Sequence, residues 1–186
     1  MDHILPRVIW FTGLSGAGKS TLARALACKF LQRGQRSILL DGDALRDGLC
    51  NDLAFSPKDR RENLRRAAEM ARLVVAQGIP CVAAFISPAQ EDRQMIRRIV
   101  GTHRFSEIYV KCDLAVCEAR DVKGLYRRAR AHEIANFTGI SSPYEPPEAP
   151  DLIVNTNDST IEECLTLIER HLGTYAGPHC DQAMSQ

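Results

Sequence analysis

Short apolar runs alternate along this chain with stretches in which apolar residues recur every three or four positions. Five runs predict strands: Arg7–Thr12, Ser37–Asp41, Ile79–Phe85, Phe105–Cys112 and Asp151–Asn155. They favour β-branched and aromatic residues and lack polar alternation, the pattern of strands covered on both faces. Helical spacing runs over Ser20–Gln32, Pro57–Gln77, Ala89–Val100, Leu114–Arg120 and Thr160–Leu172. Gly34, Gly78, Gly101 and Gly173 stand where these helices end, as C-terminal caps. Strict alternation of this kind predicts an α/β fold, a parallel sheet with helices on both faces. Reactive groups then belong beyond the carboxyl ends of the strands.

One segment interrupts the alternation. Residues 121–150 carry charge early and proline late (Pro143, Pro146, Pro147, Pro150). A connection of that length in a small domain predicts a functional lid, with Lys123, Arg127, Arg128 and Arg130 as its cations. Residues 1–175, this segment included, read as one domain, and 176–186, without periodicity, as a loose tail.

Composition narrows the function classes. With 24 basic and 23 acidic residues the formal charge is +1, so no global field draws the chain to nucleic acid or a membrane surface. No apolar run approaches the roughly 18 residues of a spanning helix. The seven cysteines show no CxxC and no zinc-like spacing, and several fall in apolar runs. That usage suits reduced thiols, and the expectation is a soluble, cytoplasmic protein.

The chemistry starts at GLSGAGKS, which fits G-x-x-x-x-G-K-[ST] between a predicted strand and a predicted helix. Glycines let Gly13, Leu14, Ser15, Gly16, Ala17 and Gly18 curl so that successive amides and the helix N-terminus face an anion. Lys19 can reach the β- and γ-phosphates of a nucleotide, the Ser20 hydroxyl can ligate Mg²⁺, and Thr21 continues the cradle. The expected cofactors are therefore ATP and Mg²⁺, on a P-loop NTPase-type sheet.

Other groups fall on the same rim. DGDALRDGL sets Asp41 and Asp43 at the end of the second strand, where a carboxylate can accept a substrate proton or hold a metal-bound water. Arg46, one turn on, can fork onto an anion. In FSPKDRRENLRR, Ser56, Pro57 and Asp59 predict a capped helix start, and Arg60 and Asn63 share a helix face. In FISPAQEDR, Ser87 sits at a strand end, either as a site residue or as a helix N-cap with Pro88 opening the helix. A GTPase would carry NKxD, but the chain has NTND at Asn155–Asp158, and no later strand ends in the paired acids of an ATP-driven motor. A small-molecule kinase remains.

GLSGAGKST, DGDALRDGL, FSPKDRRENLRR, FISP, DVKGLYRRAR and FTGISSPYEPP, in this order, resemble the adenylylsulfate kinase (APS kinase) family. The resemblance runs from Val8 to the final helix, and KGLY with FTGI–PYEPP is its most specific part. It implies transfer of the γ-phosphate of MgATP to the ribose 3′-hydroxyl of adenosine 5′-phosphosulfate (APS), giving PAPS. On the resemblance, Lys19 and Asp43 are catalytic and Asp41 supports the metal region. Arg46, Arg60 and Asn63 bind APS, Phe55 and Phe137 sandwich its adenine, and Ile86 and Ser87 contact it. Lys123 lies near its phosphates. Ser87 is the family's phosphoserine position, although in-line transfer needs only positioning and charge stabilisation.

Two lid positions depart from the family: His132 replaces a common glycine and Ala135 a lysine. The family's N-terminal strand with a Trp-His pair is absent as well. A homodimer and functional coupling to ATP sulfurylase are compatible with the resemblance. A related kinase with another nucleotide-like acceptor, and a catalytically silent ATP-binding regulatory module, stand as alternatives; the intact Lys19, Ser20 and Asp43 oppose the second.

Overall fold

The computed structural model describes residues 4–173, so the tail expected over 176–186 lies outside the described residues. Successive side chains of β1 (Val8–Thr12) divide the core: Ile9 and Phe11 enter one hydrophobic cluster, Val8 and Trp10 the other, all fully buried. A strand apolar on both faces must sit mid-sheet. β1 is accordingly the centre of five parallel strands ordered β2-β3-β1-β4-β5. The others are β2 (Ile38–Asp41), β3 (Cys81–Ala84), β4 (Phe105–Lys111) and β5 (Leu152–Asn155).

Helices cover both faces, as the alternation predicts. α1 (Lys19–Gln32) and α7 (Ile161–Gly173) bury Leu22, Leu26, Phe30, Leu165 and Ile168 on one side. α3 (Pro57–Ala76) and α4 (Gln90–Val100) bury Leu64, Ala71, Val75 and Ile96 on the other. The start of α3 is the expected one: Ser56 Oγ accepts from the Asp59 amide at 3.1 Å, with Pro57 in the first turn. Gly34, Gly78 and Gly101 carry φ of 76°, 79° and 92°, positive values after a helix that favour glycine.

The structure corrects several sequence expectations. β3 begins at Cys81, not Ile79, because Pro80 has no amide to join a ladder and gives only its carbonyl, to Ile38 at 3.0 Å. Pro88 does not open α4, and Ser87 does not cap it. The helix starts at Gln90, whose amide is taken instead by Glu145 Oε2 of the lid at 2.7 Å. Three short helical elements are additional: α2 (Gly42–Asp47), a 3₁₀ turn at Thr102–Arg104, and α6 (Leu125–Arg130) inside the lid, after α5 (Leu114–Arg120). α6 begins after Asp121, whose carboxylate accepts from the Tyr126 and Arg127 amides at 2.9 and 3.0 Å.

The segment 121–150 is tied to the body along much of its length. Tyr126, Ala129, Phe137 and Thr138 are buried. Tyr144 shares a hydrogen bond with Thr12 Oγ1 at 3.1 Å, and the carbonyl of Glu145 accepts from Arg93 at 2.6 Å. Nor are its cations all free: Arg128 pairs with Glu133 and Arg130 with Glu118.

Candidate active site

The loop 13–18 leaves β1 and closes onto α1 under tight steric control. A β-carbon at Gly13 would lie 2.5 Å from the Val110 carbonyl, and one at Gly16 would lie 3.0 Å from that of Cys117. Glycine lets the loop lie directly on β4 and α5. Lys19, 8% exposed, folds back and donates to the Leu14 carbonyl at 2.7 Å. Burial lowers its pKa to about 8, although Cys117, Asp41 and Asp43 pull in the opposite direction and Lys123 adds to the lowering. Ser20 stands half-buried in the first turn of α1, and Thr21 beside it is exposed.

Asp41 and Asp43 are both on the rim, but they do different things. Asp41 is 9% exposed and caps α2, its Oδ1 accepting from the Asp43 amide at 3.0 Å. Asp43 projects outward, and its carboxylate pairs with Lys123 of the lid, both side chains being largely exposed. Among the described residues no three His, Cys, Asp or Glu side chains could enclose a cation. A magnesium ion would therefore keep most of its ligands from phosphate oxygens and water, with the Ser20 hydroxyl added, and the donor set fits that mode.

Next to this rim lies a cavity of about 140 Å³ whose lining includes Phe55, Arg60, Asp92, Asn136 and Pro143. Phe55 is 61% exposed and carries the Arg46 guanidinium 4.4 Å above its ring. Arg46 also donates to the Ala54 carbonyl at 2.8 Å. Arg60 reaches across to the lid, donating to Thr138 Oγ1 at 2.7 Å and the Asn136 carbonyl at 2.6 Å. Burial and the neighbouring Arg46 lower its pKa. Asn63, one turn on, is buried, and its Oδ1 is left without a hydrogen-bond partner. Such an acceptor is costly unless something else completes it.

Phe137 is placed differently from the free aromatic face that the sequence suggests. It is 7% exposed, does not line the Phe55 cavity, and packs edge-on to Tyr126 with centroids 5.1 Å apart. Ser87 is also set apart. Its φ of 39° is unusual for a residue with a β-carbon, it is 2% exposed, and its hydroxyl is engaged twice. Trp10 Nε1 donates to Ser87 Oγ at 3.2 Å, and Ser87 Oγ donates to Thr12 Oγ1 at 2.9 Å. A hydroxyl held this way is a poor nucleophile. The Ile86 carbonyl accepts from Thr12 Oγ1 at 2.7 Å.

Sequence reasoning missed Thr138 and Asn136 as partners of Arg60, and Arg93 as the buried link between Ser87 and the lid. The guanidinium of Arg93 donates to the Ser87 carbonyl at 2.8 Å and pairs with Glu107 at 3.0 Å. Its only signal was an arginine on the core side of a helix.

Comparison with known proteins bears on this arrangement. A family model described as adenylylsulphate kinase matches residues 5–155. The adenylyl-sulfate kinase of Geotalea uraniireducens is 54% identical over 165 residues, 89% of this chain and 79% of the relative. The APS kinase CysC of Mycobacterium tuberculosis, solved in complex with AMPPNP and APS, superposes with a TM-score of 0.88 at 42% identity, covering 92% of this chain and 99% of that one. A hexameric APS kinase from Thiobacillus denitrificans superposes with a TM-score of 0.70 at 31% identity, covering 92% of this chain and 29% of that one.

Proposed function

This chain belongs to the adenylylsulphate kinase family, and from that premise we propose how its residues divide the work of the family's reaction. It is an enzyme, a kinase that transfers the γ-phosphate of MgATP to the 3′-hydroxyl of APS and releases PAPS and ADP. Phosphoryl transfer asks a protein chiefly to position two oxygens in line and to neutralise charge.

In this reading Gly13–Thr21 holds the ATP phosphates, and the Lys19 ammonium leaves the Leu14 carbonyl for the migrating group. Magnesium, held by phosphate oxygens and the Ser20 hydroxyl, supplies further charge neutralisation. Asp43 accepts the proton of the attacking 3′-hydroxyl. Arg46, Arg60 and Asn63 bind the anionic nucleotide, with Phe55 offering the base an exposed face and Phe137 shaping the pocket from behind. Asp41, Ile86 and Ser87 contribute as the capped and hydrogen-bonded frame of the acceptor site. Lys123 exchanges Asp43 for the substrate phosphates as the lid engages.

One observation supports the reading above all. Asp43, its amide held by Asp41 at the end of β2, pairs with Lys123 of segment 121–150, and the buried Lys19 of the phosphate loop lies close enough to feel all three charges. Phosphate loop, second-strand acid and lid thus converge where a γ-phosphate and a hydroxyl would meet. The test is an assay of ADP release with ATP and a panel of nucleotide-like acceptors, with product analysis. Turnover with APS to a 3′-phosphorylated product is expected. Turnover with another acceptor and none with APS would overturn the acceptor assignment.

Association and setting belong to the same proposal. A homo-oligomer, a dimer in its simplest form, is supported by the hexameric relative, and light scattering checks it. A cytoplasmic location is supported by six free cysteines among the described residues and by the absence there of any helix long and apolar enough to cross a membrane. Coupling to ATP sulfurylase rests on the family resemblance alone.

A further inference from the structure

Four successive carbonyls of the phosphate loop are each held by a side chain. Leu14 O accepts from Lys19 Nζ at 2.7 Å, and Ser15 O accepts from the Tyr126 hydroxyl at 2.9 Å. Gly16 O accepts from Arg120 Nη1 at 3.5 Å, and Ala17 O accepts from Thr156 Oγ1 at 2.8 Å. Three of these donors come from outside the loop: Tyr126 from the lid helix α6, Arg120 from the end of α5, and Thr156 from the turn after β5. Arg120 also donates to the Thr156 carbonyl, so two of the three are joined. Tyr126 is 2% and Thr156 9% exposed.

A trans peptide points its C=O and the following N–H in opposite directions. Drawing Ser15 O and Ala17 O toward Tyr126 and Thr156 therefore turns the Gly16 and Gly18 amides to the other side. Among the described residues no acceptor takes either amide. The Ala17 amide is used inside the loop, on Leu14 O at 3.2 Å. Two free amides on one side of a loop leading into a helix form an anion nest.

We propose that Tyr126, Arg120 and Thr156 are positioning residues for ATP, an outer ring of donors that fixes the peptide planes of the phosphate loop before nucleotide arrives. This rests on the reading of Gly13–Thr21 as the ATP phosphate loop. Because Tyr126 belongs to α6 and Thr156 follows the edge strand, the ring also ties the lid and the sheet edge to the order of the loop. Loops whose polar groups are already aligned bind without reorganisation, and a donor removed here leaves a loop carbonyl unsatisfied and its peptide plane free to turn.

The test uses Thr156→Val, which keeps the shape and removes the hydroxyl, Thr156→Ser, which restores it, and Tyr126→Phe. Calorimetry with MgAMPPNP and with magnesium tripolyphosphate, a probe with no base, reads the nest without requiring turnover. Each hydroxyl deletion should weaken both ligands about five- to thirtyfold, with Thr156→Ser near the parent. In steady state the KM for ATP should rise while the KM for APS stays within about twofold. Unchanged affinity for both probes in folded variants would overturn the proposal. So would a loss confined to AMPPNP, which would assign these residues to the base. Should Thr156→Val fail to fold, Tyr126→Phe carries the test alone. A parent that binds the probes but leaves APS untouched would fault the acceptor reading and leave the ring intact.

Discussion

Asp43 is covered by Lys123, so on the proposed reading the proton acceptor is paired until substrate draws the lysine away. Both groups are exposed, and an exposed pair of this kind is weak, so the exchange costs little. Asp43→Asn keeps the shape but removes the proton acceptor and a charge. We expect kcat to fall about 10²- to 10⁴-fold with a much smaller change in the KM for APS; a rise in KM alone would reassign Asp43 to binding. The aromatic positions call for different experiments. Phe137 is buried against Tyr126, so truncating it would cost packing as well as any contact with substrate. Phe55 is the clean probe, being exposed beside the cavity under Arg46. Phe55→Ala should raise the KM for APS by roughly three- to tenfold, the range of one aromatic contact, with an unchanged unfolding midpoint.

Among the elements, those set by long periodic patterns were legible from the sequence, and those set by tertiary partners were not. The five strands, the four long helices and the shorter α5 announce themselves through apolar spacing, and Ser56-Pro57 announces α3. α2 has only six residues, and its start depends on Asp41 folding back onto the Asp43 amide. The start of α4 depends on Glu145, 55 residues away, which no local signal reveals. At the site, Lys19, Asp43 and Arg60 could be named from their motifs, whereas Thr138, Arg93 and Thr156 emerge only once distant segments meet. One sequence departure acquires a backbone reason. His132, where the resemblance implies a glycine, ends the turn after α6 with φ of 60°. A β-carbon there meets the strain that glycine avoids, although histidine tolerates the left-handed region better than most residues. His132→Gly should therefore stabilise the protein by about 1 kcal/mol, less the entropy glycine adds to the unfolded chain. Urea unfolding checks it; destabilisation would mean that the imidazole makes a contact worth more than the strain.

At the scale of the molecule, the sheet gathers its candidate reactive groups on one rim at a cost in stability, and Lys19 carries part of that cost. The ammonium sits 8% exposed with one carbonyl partner, and burial lowers its pKa to about 8 from an ordinary value of 10.5. Between those values the unfolded lysine binds more protons than the folded one, so the contribution of Lys19 to stability rises with pH through this window. Below it, the folded protein carries the full penalty of a buried charge. Lys19→Met retains the length and apolar stem without the charge, and the Leu14 carbonyl keeps the Ala17 amide as a partner. The variant should lose turnover and gain stability at pH 7, by roughly 1–3 kcal/mol. The gain over the parent should shrink as pH approaches 10, since the parent lysine is then neutral in the fold at little cost. Urea unfolding of both proteins at pH 7 and pH 9.5 reads Lys19 together with the groups it interacts with, because titrations remote from it cancel in the difference. A gain independent of pH would locate the effect in packing rather than in charge. No gain at all would mean that Asp41, Asp43 and Cys117 already offset the burial, so that the site holds its lysine without loss before any phosphate arrives.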